Sequence, residues 1–174
     1  PLHGGFDGVD IKERNPFADR NLTSTNQGKD NYAYFSILTA IRMLKDPEFI
    51  DFDIACMPGI WNQSLNRTLA DYVEKRGDAI AILDIDSGYR PIEEGTETVF
   101  RNIASGRGTV KGAVDWRRDN LSTVKTSYAA CYYPWVTIVD PIDGDARVDV
   151  PPSVAVLGVF GKVEGKSEVW FAPA

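Results

Sequence analysis

Asn62-Gln-Ser-Leu-Asn-Arg-Thr-Leu-Ala-Asp-Tyr-Val-Glu-Lys-Arg-Gly77-Asp-Ala79-Ile-Ala-Ile-Leu-Asp84-Ile-Asp86 is the stretch that decides the fold of this 174-residue chain. From Asn62 to Lys75 it sets Leu65, Leu69, Tyr72 and Val73 on one face at helical spacing. Gly77 stands just past the end, where a left-handed residue closes a helix. Ala79 to Ile85 is then apolar except at Asp84, the pattern of a strand buried on both faces of a parallel sheet. A strand covered on both faces needs helices on either side, so this one stretch already argues for an α/β protein.

Working outward, the same alternation repeats. Asp30 to Lys45 reads as a helix capped by Asp30, with Tyr34, Ile37, Leu38, Ile41 and Leu44 in one stripe and Pro47 beyond its end. Phe52 to Met57 reads as a short buried strand stopped by Pro58-Gly59. Glu93 to Ala104 is predicted as a third helix, acidic early and with Arg101 late, which suits the helix dipole. Ser105-Gly-Arg-Gly108 is a loop, Val110 to Val114 is predicted as a short strand, and Trp116 to Val124 is compatible with either state. Tyr128 to Tyr133 and Trp135 to Val139 are strand-like, separated by Pro134, which demands a bulge or an edge position. Asp140-Pro-Ile-Asp-Gly144 has strong turn chemistry, and Arg147 to Val150 is predicted to pair back as a hairpin. Pro151-Pro152 opens a helix over Ser153 to Lys162, because proline is tolerated in a first turn. Val169 to Phe171 reads as a last strand. The expected architecture is a layered α/β domain over 30–174, with a mainly parallel central sheet flanked by helices and an added β-hairpin. Residues 1–29, rich in Gly, Asp, Asn and Thr, form an N-terminal arm or loop region.

Composition narrows the function classes. The chain is 43% apolar and 25% charged, ordinary for a globular domain. Its net charge of −6 argues against nucleic-acid binding, which depends on neutralising phosphates. There is no run of about 18 apolar residues and so no membrane span. Pro1-Leu-His-Gly-Gly5 has neither a basic nor an apolar leader segment, and the missing initiator Met suggests an excised fragment. Cys56 and Cys131 lie in apolar runs and are read as reduced core thiols. Four Asn-X-Ser/Thr triplets begin at Asn21, Asn62, Asn66 and Asn120; with no secretory signal they are read as chance.

The search for chemistry finds little. His3 is the only histidine and lies in a Gly-rich segment, which argues against a His-based triad or metal site. Asp84 and Asp86 follow a buried strand, at the position where open α/β sheets bind ligands. Two carboxylates there suit a Mg²⁺-dependent phosphotransfer or hydrolase domain, the alternative function; the plainer reading is a solvated strand end with an Asx-type turn. No phosphate-cradling loop or lysine accompanies them, and Ser105-Gly-Arg-Gly108 does not join a strand to a capped helix. Asp140, Asp143 and Asp145 resemble half of a calcium loop, but the glycine comes too early and the distal Glu is missing. No candidate nucleophile has a visible base partner. The residues call for no catalytic group, cofactor or metal.

One further pattern spans the chain. Ser127-Tyr-Ala-Ala130, Tyr132-Tyr-Pro-Trp135, Val139-Asp-Pro141, Val150-Pro-Pro-Ser153 with Gly158 in the following helix, and Val169-Trp-Phe-Ala-Pro173 occur in this order. Taken with Gly4-Gly-Phe-Asp-Gly8, they resemble the central and conserved portion of contractile phage tail sheath proteins, and of the sheaths of phage-tail-like particles. Each landmark is weak alone; their ordered combination is the more specific signal.

The resemblance implies a virion structural protein with no enzymatic activity. Sheath proteins polymerise helically around an inner tail tube after assembly in the host cytoplasm. On a baseplate signal they contract and drive the tube through the target envelope. Expected partners are other sheath subunits, the tube protein and the baseplate, with no nucleic acid or membrane. The family's members are longer, and their terminal segments exchange strands between subunits, so this chain alone is expected to be monomeric. Arg117, Arg118, Asp143 and Asp145 are the exposed charges expected at a subunit interface.

Overall fold

The structure, a computed structural model, describes residues 16, 17, 19, 22, 31–86, 110–140, 142, 144 and 146–168. The predicted helix over Glu93 to Ala104, the loop at 105–108, the last strand over Val169 to Phe171 and most of the arm over 1–29 lie outside the described residues.

The described elements run α1 (Tyr32–Met43), β1 (Ile54–Cys56), α2 (Gln63–Arg76), β2 (Ile80–Leu83), α3 (Val110–Asn120), β3 (Ala129–Cys131), β4 (Val136–Asp140), β5 (Ala146–Val150) and α4 (Pro152–Glu164). β1, β2 and β3 form a parallel sheet with β2 in the centre, and β4 and β5 form a separate antiparallel hairpin. The α/β architecture expected from the helix–strand alternation is therefore present. β2 sits between two partners because its side chains are apolar on both faces: Ala81, Ile82 and Leu83 are all buried.

By packing, the chain divides into two compact units. One comprises 1–55, 60–81 and 123–129; the other comprises 56–59, 82–122 and 130–174. In the first, α1 packs on α2. Ala33, Tyr34, Leu38 and Ile41 are buried from α1, and Leu65, Leu69, Ala70 and Val73 from α2. A fully buried Leu contributes roughly 1.5–3 kcal/mol, so this seam is the main source of cohesion there. Tyr34 Oη and Ser64 Oγ share a hydrogen bond of 2.8 Å across it.

The helix ends follow local chemistry. Asn31, not Asp30, caps α1, its side chain accepting from Tyr34 N–H at 3.2 Å. Either residue type can accept that bond, so composition cannot set the start to within one position. Asn62 caps α2 by accepting from the N–H groups of Ser64 and Leu65, both at 3.1 Å. Gly77 closes α2 at φ +73°, and its N–H donates to the Val73 carbonyl. Any residue with a Cβ would be strained at that angle.

Arg76, which no local pattern singles out, clasps the same unit. Its side chain is 1% exposed. Nη1 donates to the carbonyls of Leu44 and Ile50, both at 2.9 Å, while Nε and Nη2 grip both oxygens of Asp78 at 2.9 Å. Its guanidinium carbon lies 4.2 Å from the centroid of the Phe52 ring. One planar cation thus holds the connection between α1 and β1, including a carbonyl left open by the end of α1.

Two further expectations change. Val110 to Val114 is not a strand; it begins α3, which continues to Asn120. The β-branched residues Val110 and Val114 suggested a strand, but Val114 is exposed, and the residues that pack inward, Ala113 and Trp116, are three apart, a helical spacing that outweighs propensity. Nor are the two cysteines core thiols. Cys56 is half-buried and Cys131 exposed, because both sit at the ends of short strands. They flank β2 on opposite sides, two strand spacings of about 4.8 Å apart, which is beyond disulfide reach.

Candidate functional site

The chemistry that the described residues bring together lies just past the carboxyl end of β2, within the second unit. Asp84, Ile85 and Asp86 are buried there, at 1%, 3% and 8% exposure. An aspartate with 1% exposure must find donors, and Asp84 finds three. Oδ1 accepts from Ser153 N–H at 3.1 Å, and Oδ2 accepts from Ser153 Oγ at 2.7 Å and from Gly59 N–H at 3.0 Å.

The local sequence of α4 explains why a distant carboxylate is used. Pro151 is the capping residue and offers no side-chain acceptor, and Pro152 in the first turn has no N–H. Ser153 therefore carries the first N–H of the helix, and its natural capping acceptor is missing. Asp84, 69 residues away in sequence, supplies that acceptor and places a negative charge at the positive end of the helix dipole. Gly59 completes the arrangement from the turn after β1. Its φ of +76° aims its N–H at Asp84, and a Cβ built on it would lie 3.9 Å from the Trp135 ring.

Trp135 forms the other half of the brace. It is 7% exposed, and its indole N–H donates to the Ile85 carbonyl at 2.9 Å. Beside it, Ile85 and Ala113 form a small apolar cluster on which Trp116 and Tyr133 pack. The Tyr133–Pro134 peptide bond is cis. Pro134 takes neither the bulge nor the edge position expected of it: it lies between strands, β3 ending at Cys131 in the parallel sheet and β4 starting at Val136 in the hairpin.

Electrostatics here are set by burial. Loss of water raises the Asp84 carboxyl above its ordinary range, against the opposing pull of its bonds from Ser153 and Gly59. Burial first, and the Asp84 charge second, also raise the Cys56 thiol, which keeps it protonated and poorly nucleophilic. A raised folded-state value means that the folded protein takes up a proton at a pH where the unfolded chain does not. Asp84 should therefore add stability as pH falls through its raised value towards the ordinary carboxylate range, and withdraw it as pH rises. The expected result is that the stability of wild type relative to Asp84→Asn improves between neutral pH and about pH 4. Urea unfolding of both proteins across that range measures it; a pH-independent difference would refute the burial argument.

Arg117 and Arg118 are exposed on α3. Arg118 pairs with Asp115 at 3.0 Å and with Asp119 at 3.5 Å on its own helix, and exposed pairs of this kind stabilise little. Arg117 is also engaged. Asp143 and Asp145 lie outside the described residues. Asp86 is engaged as well, and Asp84 is turned to protein donors rather than solvated, so the open strand end of the plainer reading is not what forms. Among the described residues no group of three or more His, Cys, Asp or Glu is placed to hold a metal ion. The Asn62 and Asn66 amides donate to the carbonyls of Leu22 and Ile60, and Asn66 is 1% exposed, so those triplets serve the fold.

The hairpin is different in character. Val136 pairs with Val150, Ile138 with Val148 and Asp140 with Ala146, which sets four of the hairpin's valine and isoleucine side chains on one face. The other face carries Thr137 and Asp149, joined at 2.8 Å, with Val139 and Arg147. Both faces are largely open: Ile138, Val139 and Val148 are 47%, 53% and 42% exposed. The turn forms as expected, with Ile142 N–H donating to Asp140 Oδ1 and Gly144 at positive φ.

No protein-family model matches the chain, and no curated protein is significantly similar to it.

Proposed function

We propose that the chain is the α/β body of a contractile tail sheath subunit. In that role it packs against further copies of itself around a tail tube, under control of a baseplate, and contributes shape rather than catalysis. The observation that carries the reading is what the landmark residues do. Trp135 and Pro152-Ser153, drawn from two of the segments that resemble sheath proteins, converge on the end of β2 as a buried, hydrogen-bonded brace. Residues at that position in an α/β sheet commonly serve a ligand. Here they lock a strand, a turn and a helix together. A rigid body of this kind suits an assembly whose energy resides in moving interfaces between unchanged subunits. The exposed apolar hairpin is the kind of surface that assemblies cover.

The test is electron microscopy of the full-length parent protein, expressed alone and with its tube protein. Helically striated tubes are expected. A parent that stays dispersed in both preparations, and whose Tm rises with Mg²⁺ in wild type but not in Asp84→Asn, would replace the sheath reading with the metal-dependent one.

A further inference from the structure

We propose that α4 is a detachable strap, latched to the second unit through Asp84. The inference rests on geometry within this unit and not on the sheath reading.

Burial along α4 is sharply graded. Pro152 and Ser153 are buried, Ser153 completely, at 0% exposure. Beyond them no residue of the helix is buried: Val156, Leu157, Phe160 and Val163 are half-covered, and Val154, Ala155, Gly158, Val159, Gly161 and Lys162 are exposed. A helix of 13 residues with two glycines is marginal in water without packing. Its attachment is therefore concentrated in the first turn, where the two Ser153 donors meet the buried Asp84 carboxylate. That carboxylate also holds the Gly59 N–H, so one side chain joins the helix start to the turn after β1. Bonds to a buried charge are strong while enclosed and costly to leave half-made, so the first turn is either docked or released as a whole. Segments with few buried apolar contacts are the ones that open below the global unfolding free energy. β2, by contrast, is enclosed at Ala81, Ile82 and Leu83 and opens last. Release of α4 would uncover the half-buried side of Val156, Leu157, Phe160 and Val163, giving the unit a second state with a new apolar surface.

Native-state hydrogen exchange in low urea tests this. In wild type, the hydrogen-bonded amides of α4 are expected to exchange together, faster than those of Ala81 to Leu83 and with a weaker urea dependence. Asp84→Ala should speed α4 exchange about tenfold or more while changing β2 less. Ser153→Ala removes one hydroxyl bond and should produce a smaller change in the same direction. The strap is overturned if α4 and β2 share one rate and one urea dependence in wild type. It is equally overturned if Asp84→Ala accelerates both elements alike. Because the wild-type measurement decides the first point, a variant that fails to fold does not rescue the proposal.

Discussion

Trp135→Ala is expected to lower the unfolding free energy by about 3–5 kcal/mol, a large share of the stability of a domain this size. The indole is 7% exposed, so truncation leaves a cavity between the Gly59 turn and the end of β2. It also strands the Ile85 carbonyl, which accepts the indole N–H at 2.9 Å inside a buried site. These two losses separate in Trp135→Phe. Most of the apolar volume returns, while the carbonyl remains without its donor, and the expected cost falls to about 1–3 kcal/mol. Urea unfolding followed by far-ultraviolet circular dichroism gives both numbers. A loss below about 1 kcal/mol for the alanine variant would mean that the ring is not part of the core.

Leu65→Ala is expected to cost about 2–5 kcal/mol in the same measurement. Leu65 is 0% exposed and stands in the seam where α2 meets α1, with Leu69 and Val73 following at helical spacing. The helix backbone will not collapse into the space, because Asn62 pins its start and Gly77 its end. Phe49→Ala supplies the contrast. Phe49 is larger but 69% exposed, and its removal should change stability by no more than about 0.5 kcal/mol. Equal losses in the two variants would show that burial is not what separates these positions.

Periodicity and punctuation carried most of the local structure. Leu65, Leu69 and Val73 placed α2, Gly77 ended it, and the apolar Ala79 to Leu83 run ahead of Asp84 marked a strand with both faces covered; all three follow from rules acting over one or two turns of chain. Pro151-Pro152 likewise announced the start of α4, since φ is already fixed there and no N–H is wasted. The error at Val110 to Val114 arose where those rules conflict, β-branched composition on one side and the three-residue spacing of Ala113 and Trp116 on the other.

Asp84 shows where local rules stop. Its place at the end of a buried strand was plain in the sequence, and the resulting expectation was a carboxylate facing water. Nothing near it in sequence indicates that a helix start lacking its own cap would arrive from 69 residues away and need that acceptor. Arg76 is similar: one cation among the 19 Lys and Arg residues, distinguished only by the open carbonyls of Leu44 and Ile50 that folding brings to it. The sequence alone determined the α/β class and most of the described elements, because hydrophobic period and backbone stereochemistry are local properties. Tertiary structure alone decided which donor meets which acceptor. Hydrogen bonds act over about 3 Å, and only the folded chain sets that distance between residues remote in sequence.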